Sequence, residues 1–214
     1  AMAAERWLDL GNYEKQIDHL RSALKLMPED VEYHARLGKA LVAVRDLDEG
    51  LEHLKFAASQ DPNQADIWIA IAEAHEGAGD AGEALVAAEK AAECSPFSSV
   101  PHILSARISF SMGDLSAAMR ETQKAVEINP EDADGFVFLS RLYLEQGDKL
   151  AALQALEKAS KSSNAALQTM IRHAQLLREI QGIEASRVLL AEFSDRYPEN
   201  PELLKYLAEA DRCF

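Results

Sequence analysis

The chain has 214 residues, with 22 basic against 36 acidic side chains and a net charge of −14, so its surface repels phosphate backbones and a nucleic-acid partner is not expected. No apolar run approaches 18 residues, which argues against membrane insertion. With 48% hydrophobic residues but only 10 glycines and 7 prolines, the composition is that of a folded, helix-rich protein rather than an all-β one.

In chain order, Ala1-Met2-Ala3 reads as a vector remnant ahead of a start codon, and no basic region leading into an apolar stretch marks a secretory signal. Trp7 falls in an aromatic core place of a helix that begins midway. Gly11-Asn12-Tyr13-Glu14 reads as a turn, and a second helix runs through Ala23-Leu24 to a stop at Pro28-Glu29-Asp30. The same phrase returns at intervals of 34 residues: Arg45-Asp46-Leu47-Asp48, Ala57, Pro62; Gly79-Asp80, Ala91, Pro96; Gly113-Asp114-Leu115, Ala125, Pro130; Gly147-Asp148, Ala159, Asn164; and, with the glycine one residue later, Gly182-Ile183, Phe193, Pro198. Six copies without insertion or deletion define one array over 1–214. A partial unit (1–30) precedes full units at 31–64, 65–98, 99–132, 133–166 and 167–200, and a capping helix over 201–214 follows.

Each recurring place has a physical reason. The eighth holds Gly38, Ala72, Ala106, Ser140, Ala174 and Ala208, all small, as needed where two helices of a hairpin cross closely. The twentieth faces it with Gln16, Gly50, Ala84, Ala118, Ala152 and Ser186. Proline ends the second helix of each unit, glycine accepts a left-handed turn, and the following aspartate caps the next helix. The twenty-seventh place is alanine except for Phe193, so the last hairpin is expected to pack differently. A single hairpin cannot bury both its faces; stacking on the next one does, giving one continuous elongated core.

These places, taken with the spacing, resemble the tetratricopeptide repeat (TPR) family. The resemblance implies an all-α fold, a right-handed α-solenoid of stacked antiparallel helix hairpins. It also implies that the first helices line a concave groove where a protein or peptide partner binds. The groove places then carry an apolar stripe, Ile69, Ile103, Val137 and Ile171, joined by Leu104, Phe110, Phe138 and Leu144. They also gather cations, Arg36, Lys39, Arg107, Arg141, Arg172 and Arg178, suited to two-point contacts with carboxylates. Two alternatives stay open: part of the stripe is buried against the neighbouring unit, and Glu73, Glu76, Asp134 and Glu145 tie up the cations. Chaperone-binding relatives carry Lys and Asn at the fifth and ninth places of one repeat. Here those places hold Ala35 and Lys39, Ile69 and Glu73, or Ile103 and Arg107, a departure from that clamp.

The six histidines, His19, His34, His53, His75, His102 and His173, fall on recurring places and read as amphipathic fillers. No HExxH motif, Ser/His/Asp set or glycine-rich phosphate loop occurs, so neither enzyme activity, metal nor cofactor is expected. The unpaired Cys94 and Cys213 read as small apolar residues and lean toward a reducing cytoplasm. Most carboxylates fall on second helices and in turns, a solvated face or a docking face for a basic partner. The leading function is a non-catalytic scaffold that binds an apolar segment bearing acidic groups. The alternatives are a targeting arm of a larger enzyme and a self-assembly module in which uncapped ends pair into a homodimer.

Overall fold

The computed structural model describes the backbone of residues 2–163, 165–198 and 200–211, and side chains within 12–163, 165–195, 197–198, 200–201 and 203–208. The expectations for Trp7, Asn164 and Cys213 lie outside the described side chains. Among the described residues there are twelve helices and no strand: α1 (Met2–Leu26), α2 (Val31–Ala43), α3 (Leu47–Gln60), α4 (Ala65–Ala78), α5 (Ala81–Cys94), α6 (Val100–Ser111), α7 (Leu115–Ile128), α8 (Ala133–Glu145), α9 (Lys149–Lys161), α10 (Leu167–Gln181), α11 (Ile183–Arg196) and α12 (Pro201–Asp211). Helices α2, α4, α8 and α10 begin at Val31, Ala65, Ala133 and Leu167, and α6 begins at Val100.

The chain divides into two compact units, Ala1–Glu121 and Thr122–Phe214. Each is a stack of helix hairpins in the α-solenoid manner. In the first, α2 packs on α3 and α4 on α5, each hairpin leans on the next, and the first helices α2, α4 and α6 also touch one another. Its core runs unbroken from Ala35 and Leu54 through Ile67, Ala72 and Ala84 to Ile108. In the second unit α8 packs on α9 and α10 on α11, with α12 against α11. Leu153, Leu156 and Leu176 fill one part of its core, and Met170, Leu190, Phe193 and Leu203 the other. Phe193, where every other unit has alanine, is only 4% exposed and fills that second part.

The small places act as crossing points. A Cβ added at Gly38 would lie 2.6 Å from Leu54 Cγ and 2.9 Å from the Gly50 carbonyl oxygen, so α2 and α3 meet almost backbone to backbone. The turns also follow the expected chemistry. Gly113 and Gly147 have φ of +81° and +80°. Asp114 Oδ1 and Asp148 Oδ1 each accept from a backbone N–H three residues on, at 2.9 Å.

Two local features differ from the expectation. No turn forms at Gly11-Asn12: α1 is one helix of 25 residues. A hairpin there would have to cross at Gln16, whose long polar side chain is exposed where Gly50 and Ala84 are buried; straight continuation keeps the helical hydrogen bonds instead. His34 and Trp68, 34 residues apart at equivalent places of two units, also do more than fill space. Trp68 Nε1 donates to the Pro62 carbonyl at 2.8 Å, and His34 Nε2 makes the same contact with Pro28 at 3.0 Å. Each ring satisfies a carbonyl in the proline turn that no helix reaches.

Candidate functional site

The first unit carries a hollow of about 750 Å³ whose lining includes Lys39 of α2, Asp66, Ile69, Glu73 and Glu76 of α4, and Arg107 of α6. Here the cations are engaged across neighbouring helices. Lys39 pairs with Asp66. Arg107 grips Glu76 in two-point fashion, Nε to Oε1 at 3.0 Å and Nη2 to Oε2 at 2.6 Å. That hydrogen-bonded carboxylate is the main cause of the raised pKa of Arg107. Arg36 pairs along its own helix with Glu32 at 3.3 Å and lines a separate hollow between α1 and α2. Ile69 is half-buried against the core, while Ile103 and Phe110, also half-buried, do not line the hollow. In this unit the cations serve as internal lacing, one of the two readings left open by the sequence.

The second unit offers a different surface. A pocket of about 690 Å³ lies between α8 and α10. One wall is Asp134, Val137, Phe138, Arg141 and Leu144, a stripe of three- and four-residue steps along α8; the other is Arg172, Gln175, Leu176 and Glu179 on α10. Leu156 of α9 also lines it. Leu144 is 43% exposed, Val137 and Phe138 are half-buried, and Arg141 and Arg172 are exposed. Glu179 is held by Lys149. Arg172 forms no ion pair among the described residues. The pocket thus joins apolar groups to an unneutralised guanidinium.

Ile171 lies elsewhere. Only 1% exposed, it lines a smaller cavity of about 120 Å³ between α10, α11 and α12, together with Arg178. The apolar stripe therefore splits: Val137 and Leu144 reach the large pocket, and Ile171 turns inward. Leu156, Leu176, Ser186 and Tyr206 also line these two cavities, although none is among the groove residues that the sequence points to. Leu156 and Ser186 belong to second helices, so first-helix places do not include them.

Two of the histidines, His102 and His173, make side-chain contacts within the helix packing. His102 Nδ1 lies 2.9 Å from Glu121 Oε2. His173 is 5% exposed and lies 2.9 Å from Ser160 Oγ. Ser160 donates its hydroxyl proton to the Glu157 carbonyl at 3.0 Å, so it accepts from His173 Nδ1–H and is not an activated nucleophile. Burial lowers the pKa of His173. Cys94, half-buried with Sγ 3.4 Å from the Pro62 carbonyl oxygen, packs as a small filler. Among the described residues no group of three or more His, Cys, Asp or Glu side chains could hold a metal ion, and no helix is long and apolar enough to cross a membrane.

Family comparisons agree with this architecture. Two tetratricopeptide repeat models match residues 35–99 and 133–165. No curated protein sequence matches the chain. Among solved structures, Pseudomonas aeruginosa pilF superposes with a TM-score of 0.71 at 17% identity, over 97% of this chain and 96% of that one. TTC0263, a thermophilic TPR protein of Thermus thermophilus, gives 0.63 at 21% identity, over 82% and 96%. YrrB, described as a TPR protein with an unusual peptide-binding site, gives 0.59 at 16% identity, over 87% and 96%. At such identities these likenesses speak for the fold alone. With the two model matches, the 34-residue register and the stacked hairpins in agreement, this chain carries tetratricopeptide repeats.

Proposed function

We propose that this chain is a non-catalytic protein-interaction scaffold that receives a peptide segment of a partner in the pocket between α8 and α10. The carrying observation is the exposed Leu144 beside Val137 and Phe138, facing an Arg172 with no ion pair among the described residues. Apolar surface left open beside a polar rim marks a contact site. An arginine whose charge is not consumed selects for an acidic group. The segment that fits is apolar with a nearby carboxylate. Burying its apolar side chains contributes roughly 25 cal/mol per Å², and a desolvated charge-assisted contact about 1.5–3 kcal/mol. The solved neighbour YrrB, with its peptide-binding site, supports the class of ligand by analogy. In the first unit, Lys39 and Arg107 are spent on Asp66 and Glu76, so that groove contributes shape and the pairing of repeats rather than a charged grip.

The test is selection from a displayed library of random twelve-residue peptides, followed by affinity measurement on variants. Peptides enriched in apolar residues with an acidic neighbour are expected, with binding weakened at least tenfold by Leu144→Asp and by Arg172→Glu. Enrichment of no peptide, or binding indifferent to both changes in a folded protein, rejects the proposal.

A further inference from the structure

The small cavity between α10, α11 and α12 has a chemistry of its own. Its floor is apolar: Ile171, Ala174 and Leu190 are each no more than 3% exposed. Its polar lining is Gln175, Arg178, Ser186 and Tyr206, with no carboxylate. Gln175 Nε2 donates to Tyr206 Oη at 3.1 Å, which leaves the Tyr206 hydroxyl hydrogen free to donate elsewhere. Ser186 is only 3% exposed, yet its hydroxyl makes no hydrogen bond among the described residues. The Arg178 guanidinium likewise has no ion pair among them. Three donors therefore line one cavity.

The geometry points to a subsite for the side chain of a partner's glutamate, its carboxylate taken by Arg178, Tyr206 and Ser186 and its methylenes laid on Ile171 and Leu190. A donor-rich, acceptor-poor cavity selects an anion, and an apolar floor selects one carried on a short aliphatic stem rather than a bare ion. Size agrees: cavities of about 150 Å³ hold a six-carbon ring, so about 120 Å³ receives a carboxylate with two methylenes. Gln175 lines both this cavity and the larger pocket, so a segment lying between α8 and α10 can deliver such a residue without leaving the groove. This inference rests on the peptide-groove reading and specifies which residue the peptide carries at that point.

The position of Ser186 also explains why it is there. It occupies the small twentieth place, where other units have Ala84, Ala118 or Ala152. A hydroxyl adds nothing to the helix crossing that alanine does not already provide, so Ser186→Ala leaves packing intact and removes one donor.

The experiment titrates the whole chain with N-acetyl-glutamate amide and with its neutral isostere N-acetyl-glutamine amide, following the Arg178 Nε–H and Ser186 amide resonances by NMR. A saturable shift with the glutamate probe is expected, at least tenfold weaker with the glutamine probe. Arg178→Gln is expected to weaken it at least tenfold, and Ser186→Ala or Tyr206→Phe several-fold. Equal responses to the two probes, or a response unchanged in Arg178→Gln, overturn the subsite. If library peptides bind through Leu144 while the glutamate probe leaves Arg178 unmoved, the subsite falls and the groove reading stands. If the probe binds while no peptide does, the groove reading falls and the subsite stands.

Discussion

The imidazoles of His34 and His53 face each other through their Nδ1 atoms at 2.8 Å. His34 Nε2 lies 3.0 Å from the Pro28 carbonyl, so it carries a hydrogen, and in the neutral ring Nδ1 is then the acceptor. His53 Nδ1 is therefore the donor. Protonating both rings would set two N–H groups head to head. His53 accordingly has a lowered pKa, first through burial and then through the charge of His34, against the opposing pull of Glu49 and Glu52.

The consequence is acid sensitivity. For His53 and His173 the folded pKa lies below the unfolded value of about 6.5, so the unfolded chain binds more protons. The stability these groups contribute is full above that value and is lost as pH falls through it toward the folded pKa. Urea unfolding at pH 7.5 and pH 5 is expected to show a lower midpoint in acid, with a smaller drop in His53→Gln. Equal midpoints in the wild type would contradict the pairing.

The α2/α3 crossing is set by Gly38. Because its missing Cβ would press on the Gly50 carbonyl oxygen as well as on Leu54, the strain of a larger residue cannot be relieved by one rotamer change. Gly38→Val is expected to destabilise by about 2–3 kcal/mol. Ser140→Ala, at the same place in another unit, should be tolerated within about 1 kcal/mol, since alanine already fills it at Ala72 and Ala106. Thermal denaturation of the two variants side by side decides this.

The hairpin turns predict opposite signs at equivalent positions. Gly79, Gly113 and Gly147 adopt positive φ, and so does Arg45, at φ +70°. Gly113→Ala is expected to cost about 1 kcal/mol, because an L side chain resists that conformation. Arg45→Gly releases the same strain and is expected to stabilise by a few tenths of a kcal/mol, up to ~1. Denaturant midpoints of the two variants moving in the same direction would rule this out.

The Arg107–Glu76 pair joins α6 to α4, but the two side chains are 51% and 28% exposed, so water and salt screen it. A double-mutant cycle with Arg107→Ala and Glu76→Ala should return a coupling of about 0.5–1 kcal/mol that shrinks in about 1 M salt. A coupling that is zero at low salt would mean the pair does not form in solution.

What the sequence alone determined was whatever depends on local pattern repeated many times. The 34-residue register marks the starts of α2, α4, α8 and α10, the small crossings such as Gly38 against Gly50, the prolines that follow second helices and the Gly-Asp turns at 113–114 and 147–148. Each follows from sterics or backbone bonding within a few residues, and six copies average away the exceptions. Where one copy stands alone the pattern misleads: Gly11-Asn12 has turn chemistry but stays helical, because Gln16 leaves no close crossing to fold back upon. Only the tertiary structure decided which groove cations are consumed. Lys39 meets Asp66 and Arg107 meets Glu76 across 27 and 31 residues of chain, contacts set by how far each stacked helix reaches toward the next. The same packing turned Ile171 into a closed floor and left Leu144 open, although both occupy groove places in sequence. Periodicity assigns a residue to a face; the crossing of the neighbouring helix settles how much of that face stays in water.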